Sequence, residues 1–287
     1  MHRVKNPAAS CCALSYRRYG VRLAAVLGSL FSLASIQAPT ALAQNASVAA
    51  ANTGISARDQ IALGDRAMNA RLPRVALEHY ELALQPEPRN YEALWKASSA
   101  AVDLGEAEKD DKKRDALNTE ATDFARRSVE ANPNDAEGHF TLARAVGRTA
   151  LSVGVRDRIK YGTEVRTQAL RAIALNPKHA GALHVMGVWN AEIMRLNSMS
   201  RLLAKTVLGG QVLGTASWND AVSYIEQSVA ADPARTVHHL DQARIYRDVG
   251  RKADARAAYV ATLKCPLIDA NDEIYQRAAA AELKALN

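Results

Sequence analysis

The chain has 287 residues, 48% hydrophobic and 23% charged, a balance that excludes a disordered chain and suits one that buries a core. Aromatics are only 5%, and the apolar content is mostly Ala, Leu and Val with few Gly and Pro, which points to helices. The formal charge of +7 would suggest a nucleic-acid partner, but residues 1–43 hold five of the 37 basic residues and no acid; the remaining 32 basic against 30 acidic residues exclude a basic nucleic-acid footprint.

In chain order, a basic stretch (Arg3, Lys5, Arg17, Arg18, Arg22) comes first, followed by an apolar run over residues 23–36. Pro39 and the small-residue pattern Ala41-Leu42-Ala43 come next. This is the layout of a secretory signal, with cleavage expected after Ala43 and a periplasmic or secreted mature chain. The 14-residue apolar run is shorter than the roughly 20 residues of a membrane span. The alternative is an uncleaved N-terminal anchor in the inner membrane. Cys11 and Cys12 leave with the signal, so the mature chain keeps Cys265 alone. An intrachain disulfide and a cysteine-based zinc site are thereby excluded, and Cys265 is expected to be buried and inert. Residues 44–55 are rich in Ala, Asn, Ser and Thr without an apolar period and read as a flexible linker.

From residue 56 onward the chain reads as helix after helix, with an internal repeat. Gly64, Ala67, Ala76, Tyr80 and Ala83 return 179 residues later as Ala243, Tyr246, Ala255, Tyr259 and Thr262. Small residues stand where two helices must cross closely, and an aromatic fills the gap. Three copies lie between. They open at Ala97-Ser98, Leu142-Ala143 and Met186-Gly187, and close at Ala121–Ser128, Val165–Ala172 and Ala221–Ser228. Each closing helix runs into Asn132-Pro133, Asn176-Pro177 or Asp232-Pro233, which stops it. The middle copies carry insertions of 11, 10 and 22 residues. Since about 11 residues make three helical turns, such insertions lengthen a hairpin while nearly preserving its facing side. The first insertion, residues 105–115, is charged and expected to cap a solvated hairpin. The third contains the apolar segment 199–208, against which Trp218 is expected to anchor. Ser217 to Asp220 has capping-box spacing with Asp in place of Glu. A last helix over 272–286 is expected to cap the array.

This pattern, over residues 56–266, resembles the tetratricopeptide repeat, a helical hairpin of about 34 residues. The expected fold is all-α, a right-handed superhelix of five hairpins with a C-terminal capping helix, in one domain over residues 56–287. More specifically, the His184-x-x-Gly187-x-Trp189 helix is followed by the extra amphipathic segment and the helix around Ala221. With the final regular repeat, this resembles the regulator of microtubule dynamics family over residues 136–286. The resemblance implies a repeat scaffold without enzymatic chemistry. Its eukaryotic members are associated with microtubules and organelle membranes. A signal-bearing chain looks bacterial, so the resemblance carries fold better than function.

The sequence has no phosphate loop, no dinucleotide fingerprint, no His-Glu-x-x-His and no Gly-x-Ser-x-Gly, so neither an enzyme nor a cofactor is expected. His238-His239-x-Asp241 could suggest a metal, but adjacent helical residues point about 100° apart, and no metal site is expected. His184 and Trp189 are expected in packing roles. Helical phase places Trp95, Phe140, Arg144, Arg148, His184, Arg244 and Arg247 on the inner face of the first helices. Arginines recognise carboxylate or phosphate through paired donors, and aromatics add apolar contact. The expectation is a groove that binds a protein or peptide partner carrying anionic groups in the bacterial envelope. The alternative is a lipid or other apolar small ligand held by the groove and the segment 199–208.

Overall fold

The structure, a computed structural model, describes residues 54–152, 155–196 and 211–286. The expected signal, nearly all of the linker and the segment 199–208 lie outside the described residues. Among the described residues there are eleven α-helices, one short 3-10 turn (Gln211–Thr215) and no strand. They pair as five successive hairpins. These are α1 (Ala57–Asn69) with α2 (Pro73–Leu84), α3 (Tyr91–Ala107) with α4 (Asp111–Ala131), and α5 (Ala136–Ser152) with α6 (Val155–Leu175). The series continues with α7 (Ala180–Arg195) and α8 (Trp218–Ala231), then α9 (Thr236–Asp248) and α10 (Lys252–Lys264). The last helix, α11 (Asp272–Ala285), packs on α9 and α10. This is the all-α repeat array that the residue pattern predicts.

The crossing residues behave as the repeat requires. Ala97, Ser98, Ala121, Ala125, Ala143, Ala169, Ala172, Ala221, Ala243 and Ala255 are wholly buried. Side chains this small let helix axes approach to the lower end of the usual 8–10 Å. At Gly64 the approach is closest. A Cβ there would stand 2.7 Å from Cδ1 of Tyr80 and nearer still to Cε1. That ring is buried, and its hydroxyl donates to Asp65 at 2.9 Å. Gly187 likewise faces the backbone of α8, where a Cβ would lie 3.1 Å from the Ile225 nitrogen.

Local chemistry sets the helix ends. Ser56, Asn90, Asp110, His179 and Ser217 are N-caps whose side chains accept an amide three residues on. Asn132, Asn176 and Asp232 accept the amide two residues on, across their prolines, at 3.2, 3.1 and 3.2 Å. The proline excludes the α conformation at the residue before it, and the side chain then supplies the turn's hydrogen bond. The capping box at Ser217 forms only in half. Ser217 Oγ accepts the Asp220 amide and donates to Asp220 Oδ2, but the Ser217 amide donates to Asn190 Oδ1 at 3.1 Å. Asp is one methylene shorter than the Glu of a full box, and α7 supplies the second partner instead.

The first two insertions lengthen hairpins as expected. Helices of 13 and 12 residues in the first hairpin become 17 and 21 in the second and third. The charged insertion departs from its expected role as a solvated cap in one respect. Its Glu106, in the last turn of α3, has a side chain only 7% exposed. Trp218 packs half-buried against Ala191, Ala221, Ile225 and Ile245. The apolar residues fall into separate clusters. One spans α1 to α7 with the 3-10 turn, one joins α9, α10 and α11, and a small one ties α7, α8 and α9. The first helices of successive hairpins touch one another. The first turn of α11 reaches back across that side to α3 and to Arg71 of the α1–α2 turn.

Candidate functional site

Arg144 on α5 and Arg244 on α9 each follow a buried alanine, Ala143 and Ala243, and so leave their helices in the same direction. Each meets carboxylates from a different helix. Arg144 donates to Asp103 Oδ1 at 2.6 Å and to Glu106 Oε1 at 3.1 Å, both on α3. Arg148, one turn on, also pairs with Glu106. Burial disfavours the Glu106 charge, but Arg148 and Arg144 outweigh it and hold its carboxyl below the usual range. Burial pushes Asp103 up against the pull of Arg144, with Glu106 and Asp269 adding to the rise. Tyr275 of α11 donates to Glu106 Oε2, and burial holds its phenol well above its ordinary pKa, so it stays a donor. Asn271 donates to the Asp103 carbonyl at 2.9 Å.

The second pair is organised around Glu282 of α11. Arg244 reaches Glu282 Oε1 through Nε and Nη2 at 3.0 and 2.7 Å, and Arg247 reaches Oε2 at 3.0 Å. Tyr259 donates to the same Oε2 at 2.8 Å. Arg244 also holds Asp241 at 3.0 Å, and Asp241 accepts from His184 Nε2 at 2.9 Å. Although burial disfavours the Asp241 charge, His184 and Arg244 keep its carboxyl below the ordinary value. His184 stacks on His238 with ring centroids 4.7 Å apart. Ser228 Oγ donates to the Ala180 carbonyl, so the His238 Nδ1–H, 3.0 Å away, donates to Ser228. Burial first, and His184 second, push the His238 pKa down to about 2, leaving a neutral ring.

The structure therefore joins Arg244, Arg247 and His184 in one network through α11 and Asp241. Arg144 and Arg148 are joined through α3. Trp95 is half-buried on α3 beside the Lys96 ammonium, 5.5 Å from its ring. Phe140 packs on the start of α7, its ring 4.7 Å from that of His179 and closing over Gly181. Trp189 is a core residue whose indole donates to the Gly162 carbonyl at 2.7 Å. His238 points inward while His239 donates to the Pro233 carbonyl at 2.9 Å, as His139 does to Pro133 at 3.0 Å. Cys265 is half-buried, and burial raises its thiol pKa. The residues that sequence reasoning missed are the carboxylates and their companions: Asp103, Glu106, Asn271, Tyr275 and Glu282. Their signal was weak, because Asp103 is one of the acids on α3, Glu106 sits in a charged run, and the others belong to an amphipathic end helix and its cap.

Comparison with known proteins agrees with this architecture. The mouse regulator of microtubule dynamics protein 1 is 26% identical over 156 residues, which are 54% of this chain and 50% of that protein. The cattle regulator of microtubule dynamics protein 3 is 23% identical over 185 residues, covering 64% of this chain and 39% of that protein. The chain thus spans half or less of the length of these relatives. Among solved structures, a tetratricopeptide-repeat protein of Thermus thermophilus superposes with a TM-score of 0.55. It is 19% identical, and the match covers 78% of this chain and 99% of that one. With the model of the regulator of microtubule dynamics protein 1-3 family matching residues 56–287, the chain belongs to that family.

Proposed function

We propose that the chain is a non-enzymatic interaction scaffold whose first-helix face receives a peptide or protein segment bearing carboxylates. One observation carries this reading. The face already holds such a segment from the chain itself, since α11 presents Glu282 to Arg244 and Arg247. Arg247 keeps 40% of its side chain exposed and Arg148 35%, so a further anion can reach both. One charge-assisted contact is worth about 1.5–3 kcal/mol, or roughly tenfold or more in affinity. The test is to capture a partner from envelope extract with the mature chain and titrate it against Arg148→Ala and Arg247→Ala at two salt concentrations. The expected result is weaker, less salt-sensitive binding in both variants. Wild-type affinity in both would place the binding surface elsewhere. A stoichiometric phospholipid in a mass spectrum of the purified chain would replace this reading with the lipid one.

Export belongs to the same proposal, with cleavage after Ala43 and a place in the bacterial periplasm or outside the cell. N-terminal sequencing of envelope material tests it. Full-length protein in the cytosol would reject it. A chain exported in this way would not meet microtubules, so the scaffold of the relatives carries over and the activity in their name does not.

A further inference from the structure

We propose that the contact of α11 with α3 and the α1–α2 turn is a clasp that closes the superhelix on itself and gates the arginine-lined face. The inference rests on the reading of that face as a binding surface. Two facts about the two sides of α11 support it. Its apolar side, with Ala279 and half-buried Tyr275, Ala278, Leu283 and Leu286, belongs to the α9–α10 core. Its contacts in the other direction are polar. Asn271 binds the Asp103 carbonyl, Tyr275 binds Glu106, and Glu273 lies 3.7 Å from Arg71. Nearby, Arg235 at the start of α9 pairs with Asp269 in the loop before α11. The seam thus joins residues 168 positions apart in the chain by hydrogen bonds and ion pairs, while separate apolar clusters hold the bodies on either side. Polar interfaces of this kind are the ones along which bodies of one chain move. Opening the seam lifts Tyr275 off Glu106, the carboxylate that Arg144 and Arg148 share, while leaving both apolar clusters intact.

The experiment uses the full chain with Cys11, Cys12 and Cys265 replaced by serine and spin labels on cysteines introduced at two exposed sites, Ala107 on α3 and Arg277 on α11. Distances are measured with and without the pair Asn271→Ala and Tyr275→Phe, neither of which removes a core contact beyond one hydroxyl or amide. A short synthetic Glu-rich peptide with a free C-terminal carboxylate is the binding probe. The expected result is one short distance in the parent, an added longer population in the variant, and about tenfold tighter peptide binding by the variant. An unchanged distance in the variant overturns the clasp. A longer distance with parent-like peptide affinity overturns the gating and leaves the binding face standing. Opening with no peptide binding by either protein overturns both the gating and the face as a peptide site. Should the variant fail to fold, the labelled parent is measured between about 0.05 and 0.5 M NaCl, where screening weakens ion pairs. A distance distribution that ignores salt then overturns the clasp.

Discussion

Arg71 and Gly250 hold the same place in the first and last hairpins, and both have positive φ, 61° and 81°. Each ends its helix in the same way. The amide of the following residue reaches back to the Ala67 or Tyr246 carbonyl, at 2.9 and 2.8 Å. Glycine adopts this conformation without cost, whereas arginine pays for a crowded Cβ. Arg71→Gly should therefore stabilise the fold by about 1 kcal/mol, since the exposed Arg71–Glu273 pair it removes is worth little. A lower melting temperature in this variant would contradict the argument. Gly64 makes the opposite case. Alanine there collides with a Tyr80 ring that is buried and tethered to Asp65, so Gly64→Ala should cost about 1–3 kcal/mol. Gly181→Ala meets the Phe140 ring at a similar 2.5 Å, but that ring is only half-buried and has no hydroxyl to tether it. Thermal melts should show Gly64→Ala the more damaging of the two.

Between elements, α2 and α4 meet through two carboxyl groups. Glu81 is hydrogen-bonded to Glu120, and burial first, then the Glu120 charge, raise its pKa to about 7, with Glu78 adding to and Arg74 opposing the shift. The folded pKa lies above the unfolded one. This group's stabilising contribution is therefore complete below about pH 4.5 and lost as pH rises through about 7. Glu81→Gln should raise the melting temperature at about pH 8 more than at about pH 5. Equal shifts at both values would show that no proton is shared. The start of α8 provides a second test. Ser217→Ala removes the hydroxyl that caps the Asp220 amide and should cost about 1 kcal/mol, measured by denaturant unfolding. A loss well below that would mean the Asn190 contact alone holds this helix end.

For the whole molecule, the arginines of the inner face divide by burial. Arg144 is 24% exposed and neutralises Asp103 and Glu106, which are 13% and 7% exposed. Removing it leaves Glu106 to Arg148 and takes from the buried Asp103 the cation that opposes its burial. Arg144→Ala should cost about 3 kcal/mol, a structural loss as much as a binding one. Arg247, 40% exposed, should cost under about 1 kcal/mol and leave the fold intact. Chemical unfolding of the two variants checks this, and equal losses would mean that burial does not set the worth of these ion pairs.

Hairpin number, crossing residues and helix ends were legible in the residues alone. Gly64 against Tyr80 and the Asx-Pro stops each encode structure with partners no more than one hairpin away. Short-range packing leaves a periodic mark because every repeat must solve the same steric problem. That the four arginines and His184 lie on first helices was legible for the same reason. Their partners were not, because charge pairing leaves no periodicity. Glu106 reads as one acid in a charged run, and Tyr275 lies 169 residues from it in the chain. The curvature of the assembled array brings α11 back over α3, so the fold turned an apparently open groove into a closed ionic seam.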